Sequence, residues 1–292
     1  MLYVDMCKCM SRRQYLAWLA ATGASSAWSR TTASARRLIA VGGAMTEVVY
    51  ALGAESLLVA TDTTSLYPEA ATRTPKVGYL RQLSAEGLLS LQPDVIVGSG
   101  EAGPAVVLEQ VRSAGVRVEL VPTTHNFEEV LRKVALVGTV TGKQTQADAL
   151  AKQLRSEWEQ VAQAVSLTKR KPRALFILSH SGSPMVAGQK TAADALLQFA
   201  GAHNAVQQFE GYRPLTAEAM AAIAPEVIVN STQGIEALGG VEKFWQRPEL
   251  ALTPAFRHKA LVTMEASHLL GFGPRLPTAV RELHIRLLQA VA

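Results

Sequence analysis

Two distant segments of the 292-residue chain repeat one design, and that repetition restricts the fold more than any other feature. "GYLRQLSAEGLLSLQPDVIVGS" begins at Gly78 and "GYRPLTAEAMAAIAPEVIVNS" at Gly211. With one residue deleted near Arg81, they align through Leu83 and Leu215, Glu86 and Glu218, Pro93 and Pro225, and Ser99 and Ser231. Each copy predicts a Ser- or Thr-capped helix with Glu in its first turn, where the helix dipole favours negative charge. A proline then ends the helix and a buried strand follows. A weaker echo pairs "YALGAESLLV" with "QFAGAHNAV".

Around the repeats, short β-branched runs alternate with longer amphipathic ones, the pattern of helices laid over a parallel sheet. "RLIAVGG", "LLVATD", "DVIVGS" and "VRVELVP" read as strands in the first half, and "RALFILSH", "EVIVNS" and "ALVTME" in the second. Their near-continuous hydrophobicity suits strands covered on both faces. Between the copies, "QADALAKQLRSEWEQVAQAVSL" places apolar residues at 147, 150, 151, 154, 158, 161, 162 and 165. That is one helical face over about 20 residues, or ~30 Å. The expected architecture is therefore α/β: two Rossmann-like lobes with parallel sheets, residues 36–142 and 169–292, joined by a single spine helix at 143–168. Ligands of open α/β sheets sit beyond the carboxyl ends of the strands, which here means the cleft between the lobes.

The first 35 residues read as an export signal to be removed before folding. Arg12 and Arg13 precede a run of small apolar residues that ends on an A-x-A-like site at Ala35. The run is too short and too rich in Ala, Ser and Thr to span a bilayer, and a twin-arginine signal is an address rather than an anchor. Met10 is an alternative start that would place the arginine pair almost at the beginning. The segment holds a net +3 of the chain's formal +5, leaving +2, so the high pI does not imply a nucleic-acid partner. Both cysteines, Cys7 and Cys9, also fall in it, and neither ends the apolar run as a lipoprotein signal requires. The remaining 257 residues carry no thiol, which excludes disulfides, zinc–thiolate sites and cysteine nucleophiles. A periplasmic location is expected.

Catalysis finds no positive support. "AVGGAMTE" follows a strand and opens a helix but lacks both G-x-G-x-x-G and the Walker Lys-Ser/Thr. No G-x-S-x-G elbow occurs, and the six histidines show no metal-ligand spacing. Asp62, after a strand, reads as a loop-capping carboxylate before a general base.

Binding is left, and "TSLYPEAATRTPKVGYLRQLS" is where it points. Tyr67 follows the strand "LLVATD" and should face the cleft, with Arg73, Lys76 and Arg81 after it. A phenol packed on a loop proline beside solvated cations is one reading. A phenolate that holds ferric iron is the other, with arginine forks matched to carboxylates such as haem propionates. Tyr79 reads as a residue packed at a helix start. His180 ends "ALFILSH" and should also face the cleft. Met185 reads as buried filler or as a cushion for a flat ligand. Tyr212 and Arg213, the repeat partners of Tyr79 and Arg81, are candidates to close over a ligand from the second lobe.

The order of elements, "LQPDVIV", "VGYLRQLSAEGLLSL" and "SPMVAGQKTAADALLQFAGA", together with "SLYP", resembles the periplasmic haem-binding proteins of bacterial ABC importers. These belong to the helix-spined class that also holds cobalamin and siderophore binders, and the resemblance covers residues 37–290. It implies that Tyr67 ligates ferric haem with Arg73 and Arg81 as support. "LSHSGSPMVAG" implies His180 as the ligand of a second, stacked haem. The class docks onto its permease through an exposed acidic residue on each lobe, here Glu101 or Glu109 and Glu236 or Glu242. The expected function is capture of haem b as transported ligand, one or two per chain, by a monomer that is not an enzyme, and delivery to an inner-membrane ABC permease. A ferric-siderophore or cobalamin binder of the same fold is the alternative, and an exported α/β enzyme is the alternative of another class.

Overall fold

The computed structural model describes residues 35–179, 184–214 and 216–292, which form one compact unit. Arg12, Arg13, His180 and Leu215 lie outside the described residues. Ala35, at the expected end of the signal, is buried and donates its N–H to the Val140 carbonyl at 3.0 Å.

The first sheet contains β1 (Leu38–Val41), β2 (Leu58–Thr61), β3 (Val95–Ser99) and β4 (Arg117–Val121), all parallel in the order β2-β1-β3-β4. Every residue of β1 is fully buried, as its unbroken apolar run requires. The second sheet contains β5 (Arg173–Leu178), β6 (Met185–Ala187), β7 (His203–Asn204), β8 (Tyr212–Pro214), β9 (Val227–Ser231) and β10 (Leu261–Met264). Its order is β10-β9-β5-β6-β8, with β7 alongside β5. All seven strands read from the sequence are present.

The second sheet is mixed rather than parallel, a correction to the expected architecture. β10, β9, β5 and β7 run parallel, but β6 pairs antiparallel with β5 and β8 pairs antiparallel with β6. Strands of three residues show no period to read, and an antiparallel return needs no helical crossover to announce it.

The described helices used below are α1 (Gly43–Ala51), α2 (Ala85–Leu89), α3 (Phe127–Thr141), α4 (Gln144–Leu167), α5 (Ala192–Phe199), α6 (Ala217–Ile223) and α7 (Leu276–Ala290). The repeat is visible at α2 and α6. The Ser84 and Thr216 side chains cap them, accepting from the N–H of Gly87 and Ala219, and β3 and β9 follow. The first residues of the two copies differ, because Tyr212–Pro214 is a strand and Gly78–Leu80 is not.

α4 is the spine, 24 residues that bury Ala147, Leu154 and Val161 against α3 and α7. Gly138 of α3 lets the two helices meet, since a Cβ there would lie 2.4 Å from that of Ala147. A run of rings crosses the spine. Phe127 of α3 stacks on Trp158 of α4 at 4.8 Å, Trp158 meets Phe199 of α5 edge-on at 4.9 Å, and Phe199 lies 6.3 Å from Phe272. One apolar cluster runs from β1 through these helices to β5 and β9, so the two sheets share a core.

Candidate functional site

The site is built on the segment that follows β2. Asp62 is fully buried, and its carboxylate accepts from the Gly42 and Thr64 N–H groups at 2.9 and 3.1 Å. It also accepts from the Thr64 and Ser65 hydroxyls at 2.6 and 2.8 Å. It is the loop cap expected from its position. The same contacts explain "VGGA": Gly42 adopts φ 101°, and a Cβ on Gly43 would lie 2.7 Å from the Thr64 carbonyl.

The loop is held at its far end too. Thr61 donates to the Pro75 carbonyl and Val77 donates to Thr61, both at 2.9 Å, so the returning chain runs along the edge of β2. The Lys76 ammonium donates to Thr61 Oγ1, the Ser65 carbonyl and the Ala71 carbonyl at 2.8, 3.0 and 2.9 Å. Burial pulls that ammonium below its ordinary value, opposed by the Asp62 carboxylate. Lys76 is therefore a brace for the loop and not a cation offered to a ligand. Between the two anchorages the chain presents Leu66 and Tyr67, which are 52% and 46% exposed, and Tyr67 precedes Pro68 through a cis peptide bond. A rigid loop that exposes large apolar side chains is preorganised to cover them with something else.

Opposite Tyr67 stands Arg275, from the turn that precedes α7. Its guanidinium carbon lies 3.8 Å from the centre of the Tyr67 ring. Its Nε and one Nη donate to the two carboxylate oxygens of Glu47 on α1 at 2.9 and 2.6 Å, and that Nη also donates to Ser267 Oγ at 3.1 Å. Burial raises the Glu47 carboxyl above its ordinary value against the pull of Arg275. Burial also works against the Arg275 charge, but Glu47 and Glu265 outweigh it and hold the guanidinium protonated. A cavity of about 660 Å3 opens here, lined by Leu66 and Tyr67 from the first sheet's side and by Gln233, Glu265, His268 and Arg275 from the second. It lies beyond the ends of β2, β9 and β10, where ligands of such sheets belong.

The other expected residues are placed differently. Arg73, at the end of a short 3-10 turn, is exposed and has no hydrogen-bond or ion-pair partner among the described residues. Arg81 is engaged, with Glu101 at 2.8 Å and the Tyr79 hydroxyl at 3.0 Å. Tyr79, expected to be packed, is 38% exposed because Leu80 and Leu83 take the buried positions beside it. Tyr212 is half-buried on β8 and packs against the shared core. Burial raises its phenol above the ordinary value, opposed by a hydrogen bond with Thr191. Glu101 raises it and Arg81 lowers it, so the two halves of that ion pair oppose one another at this phenol. Arg213 lies over the Phe209 ring at 4.5 Å, and Met185 is half-buried on β6. Glu109 pairs with Arg112, whereas Glu236 and Glu242 are exposed. The cavity thus joins Tyr67 to Arg275, which sequence reasoning missed, and not to Arg73 or Arg81. Among the described residues no cluster of three or more His, Asp or Glu could hold a metal ion, and no helix is long and apolar enough to cross a membrane.

The sequence matches the periplasmic binding protein family over residues 38–267. The chain belongs to that family. Among solved structures, this periplasmic binding protein resembles the periplasmic heme-binding protein BhuT in complex with two hemes. The two are 45% identical with a TM-score of 0.84, over 89% of this chain and 100% of that one. A periplasmic heme binding protein from Pseudomonas aeruginosa is 36% identical with a TM-score of 0.77, over 86% of this chain and 91% of that one. Among curated relatives, the vitamin B12-binding protein of Vibrio parahaemolyticus is 24% identical over 248 residues, 85% of this chain and 87% of that one. The family and these neighbours are periplasmic substrate-binding proteins and not enzymes.

Proposed function

We propose that this protein captures haem in the cleft between its lobes and delivers it to an inner-membrane ABC permease. The observation that carries the reading is Tyr67, half-exposed at the tip of a loop braced by Asp62 and Lys76, and facing a cavity large enough for a planar ligand. The neighbouring Leu66, which lines the same cavity, supplies apolar surface for a porphyrin. The solved neighbours named for heme support the same choice.

In this reading Tyr67 is the iron ligand, and the unpartnered Arg73 is available to a propionate. Arg81 serves a propionate by exchanging Glu101 for it. His180 is the ligand of a second haem, and Met185, Tyr212 and Arg213 are further cleft contacts. Docking falls to Glu101 or Glu109 on the first lobe and to Glu236 or Glu242 on the second. The chain is exported through the twin-arginine segment 1–35 and works as a monomer. Its lobes are residues 36–142 and 169–292, with 143–168 as the spine.

Cobalamin is the second reading, favoured by the Vibrio relative. Titration of residues 36–292 with haemin, with cyanocobalamin and with a ferric siderophore, followed by the visible spectrum, separates the readings. Saturable binding of haemin alone is expected. Saturable cobalamin or siderophore binding without haemin binding would overturn the proposal.

A further inference from the structure

The cation that faces Tyr67 comes from the opposite lobe, and two acidic or basic residues of the first lobe hold it there. Arg275 ends the turn Gly271–Arg275, which leads into α7 of the second lobe. α1 and α3 of the first lobe grip this turn at three points. The Lys133 ammonium of α3 donates to the Phe272 carbonyl at 3.0 Å. Gly273 lies against α1 so closely that a Cβ would be 3.3 Å from Ala44 and from Glu47 Oε2. Glu47 of α1 takes Arg275 in two hydrogen bonds.

Lys133 is the most informative of these groups. Its side chain is only 2% exposed, as is that of its ion-pair partner Glu129 at 2.7 Å. Burial pulls the Lys133 ammonium below its ordinary value, against the attraction of Glu129. A buried ion pair contributes little that an apolar pair of the same shape would not, so it is a poor stabilising device by itself. What an apolar pair lacks is a donor for the Phe272 carbonyl. Phe272 adopts φ 49°, a left-handed conformation that a non-glycine residue keeps only with outside support. His125, edge-on to the Phe272 ring at 5.4 Å, adds packing from the same side.

We infer that Arg275 is the cation that compensates the Tyr67 phenolate on iron, and that Glu47 and Lys133 are positioning residues that hold it over the ring. The inference rests on the reading of Tyr67 as the iron ligand. A guanidinium over the ring face acts on the electrons the phenolate lends to the metal, without competing for the oxygen. Glu47 fixes the plane of the fork, and Lys133 fixes the turn that carries it. Arg73 is then a contact for the ligand's edge and not the partner of Tyr67.

The test compares haemin affinity and the phenolate-to-iron charge-transfer band in the parent, Arg275→Gln, Arg275→Lys and the pair Glu129→Gln/Lys133→Met. Arg275→Gln is expected to weaken haemin binding by about tenfold, the size of a partly desolvated cation–π contact, and to move the band. Arg275→Lys, which keeps the charge, should recover part of both. The Glu129→Gln/Lys133→Met pair removes both buried charges together, and should weaken binding several-fold and move the band in the same direction. Arg275→Gln bound within twofold of the parent, or bound more weakly with an unmoved band, overturns the inference. So does a double variant whose band stays in place. Tyr67→Phe beside them separates the two ideas. If it binds haemin like the parent, the iron-ligand reading fails; if it fails to bind while Arg275→Gln is unaffected, only the role of Arg275 fails.

Discussion

Replacing Asp62 with Ala should loosen the ligand loop and destabilise the protein by an amount that its hydrogen bonds define. The carboxylate has four donors, but two of them have other options. The Ser65 hydroxyl is also 2.7 Å from Thr46 Oγ1, and the half-buried Thr64 hydroxyl can turn its proton to solvent. The unrelieved loss is that of two backbone N–H groups, Gly42 in a buried position and Thr64 in a half-buried one. A buried donor left without an acceptor costs about 1–3 kcal/mol, so about 3 kcal/mol is expected for the pair. Asp62→Asn keeps one acceptor oxygen and turns a donor toward the other N–H, which should cost about half as much. Urea unfolding of residues 36–292, followed by far-UV circular dichroism, measures both values. Because the loop carries Tyr67, haemin affinity should fall in the same order, Ala below Asn below the parent. An Ala variant within about 0.5 kcal/mol of the parent would refute the claim that Asp62 braces the loop.

Gly273→Ala should push the Phe272–Arg275 turn away from α1 by a few tenths of an ångström, costing about 1–3 kcal/mol as overpacking does and weakening haemin binding; thermal melts and titration check both. Acid should weaken the parent through Glu129. Burial alone would raise its carboxyl, but Lys133 and the Thr124 and His125 N–H groups outweigh burial and hold it below its ordinary value. The unfolded chain therefore takes up that proton first, so stability present at neutral pH is lost as pH falls below about 5. The Glu129→Gln/Lys133→Met pair should show a shallower loss of stability between about pH 5 and 3 than the parent in urea titrations. Glu101→Gln removes the ion-pair partner of Arg81 and should strengthen haemin binding up to a few-fold at low salt, an effect that added salt erases.

The parts of the fold that could be read beforehand are those whose cause is local. Four-residue runs such as "LIAV" are buried strands, and the cap residues Ser84 and Thr216 start helices in both copies of the repeat. The apolar stripe of α4 predicts the spine because its period needs no partner to be seen. Asp62 and Tyr67 were legible for the same reason, as the residues that follow a strand and open a loop. The rest depends on chain segments that meet only in space. Glu47 and Arg275 are 228 residues apart, and nothing near "GFGPR" marks it as the facing wall of the site. Lys133 stands four residues after Glu129 in "FEEVLRKVAL", which reads as an ordinary solvated pair on a helix surface. In the fold it is buried and donates to the Phe272 carbonyl, 139 residues away. The strands β6 and β8 were missed because three residues carry no period, and Tyr79 was misread because Leu80 and Leu83 fill the core beside it.

In the proposed function Tyr67 binds the iron of captured haem. Resonance Raman spectra of the haemin-loaded protein, prepared with and without ring-deuterated tyrosine, test it most directly. Iron–phenolate vibrations that shift with the label are expected in the parent and are expected to be absent from Tyr67→Phe. Vibrations that persist in Tyr67→Phe, or a saturated haemin complex of the parent with none, would contradict it.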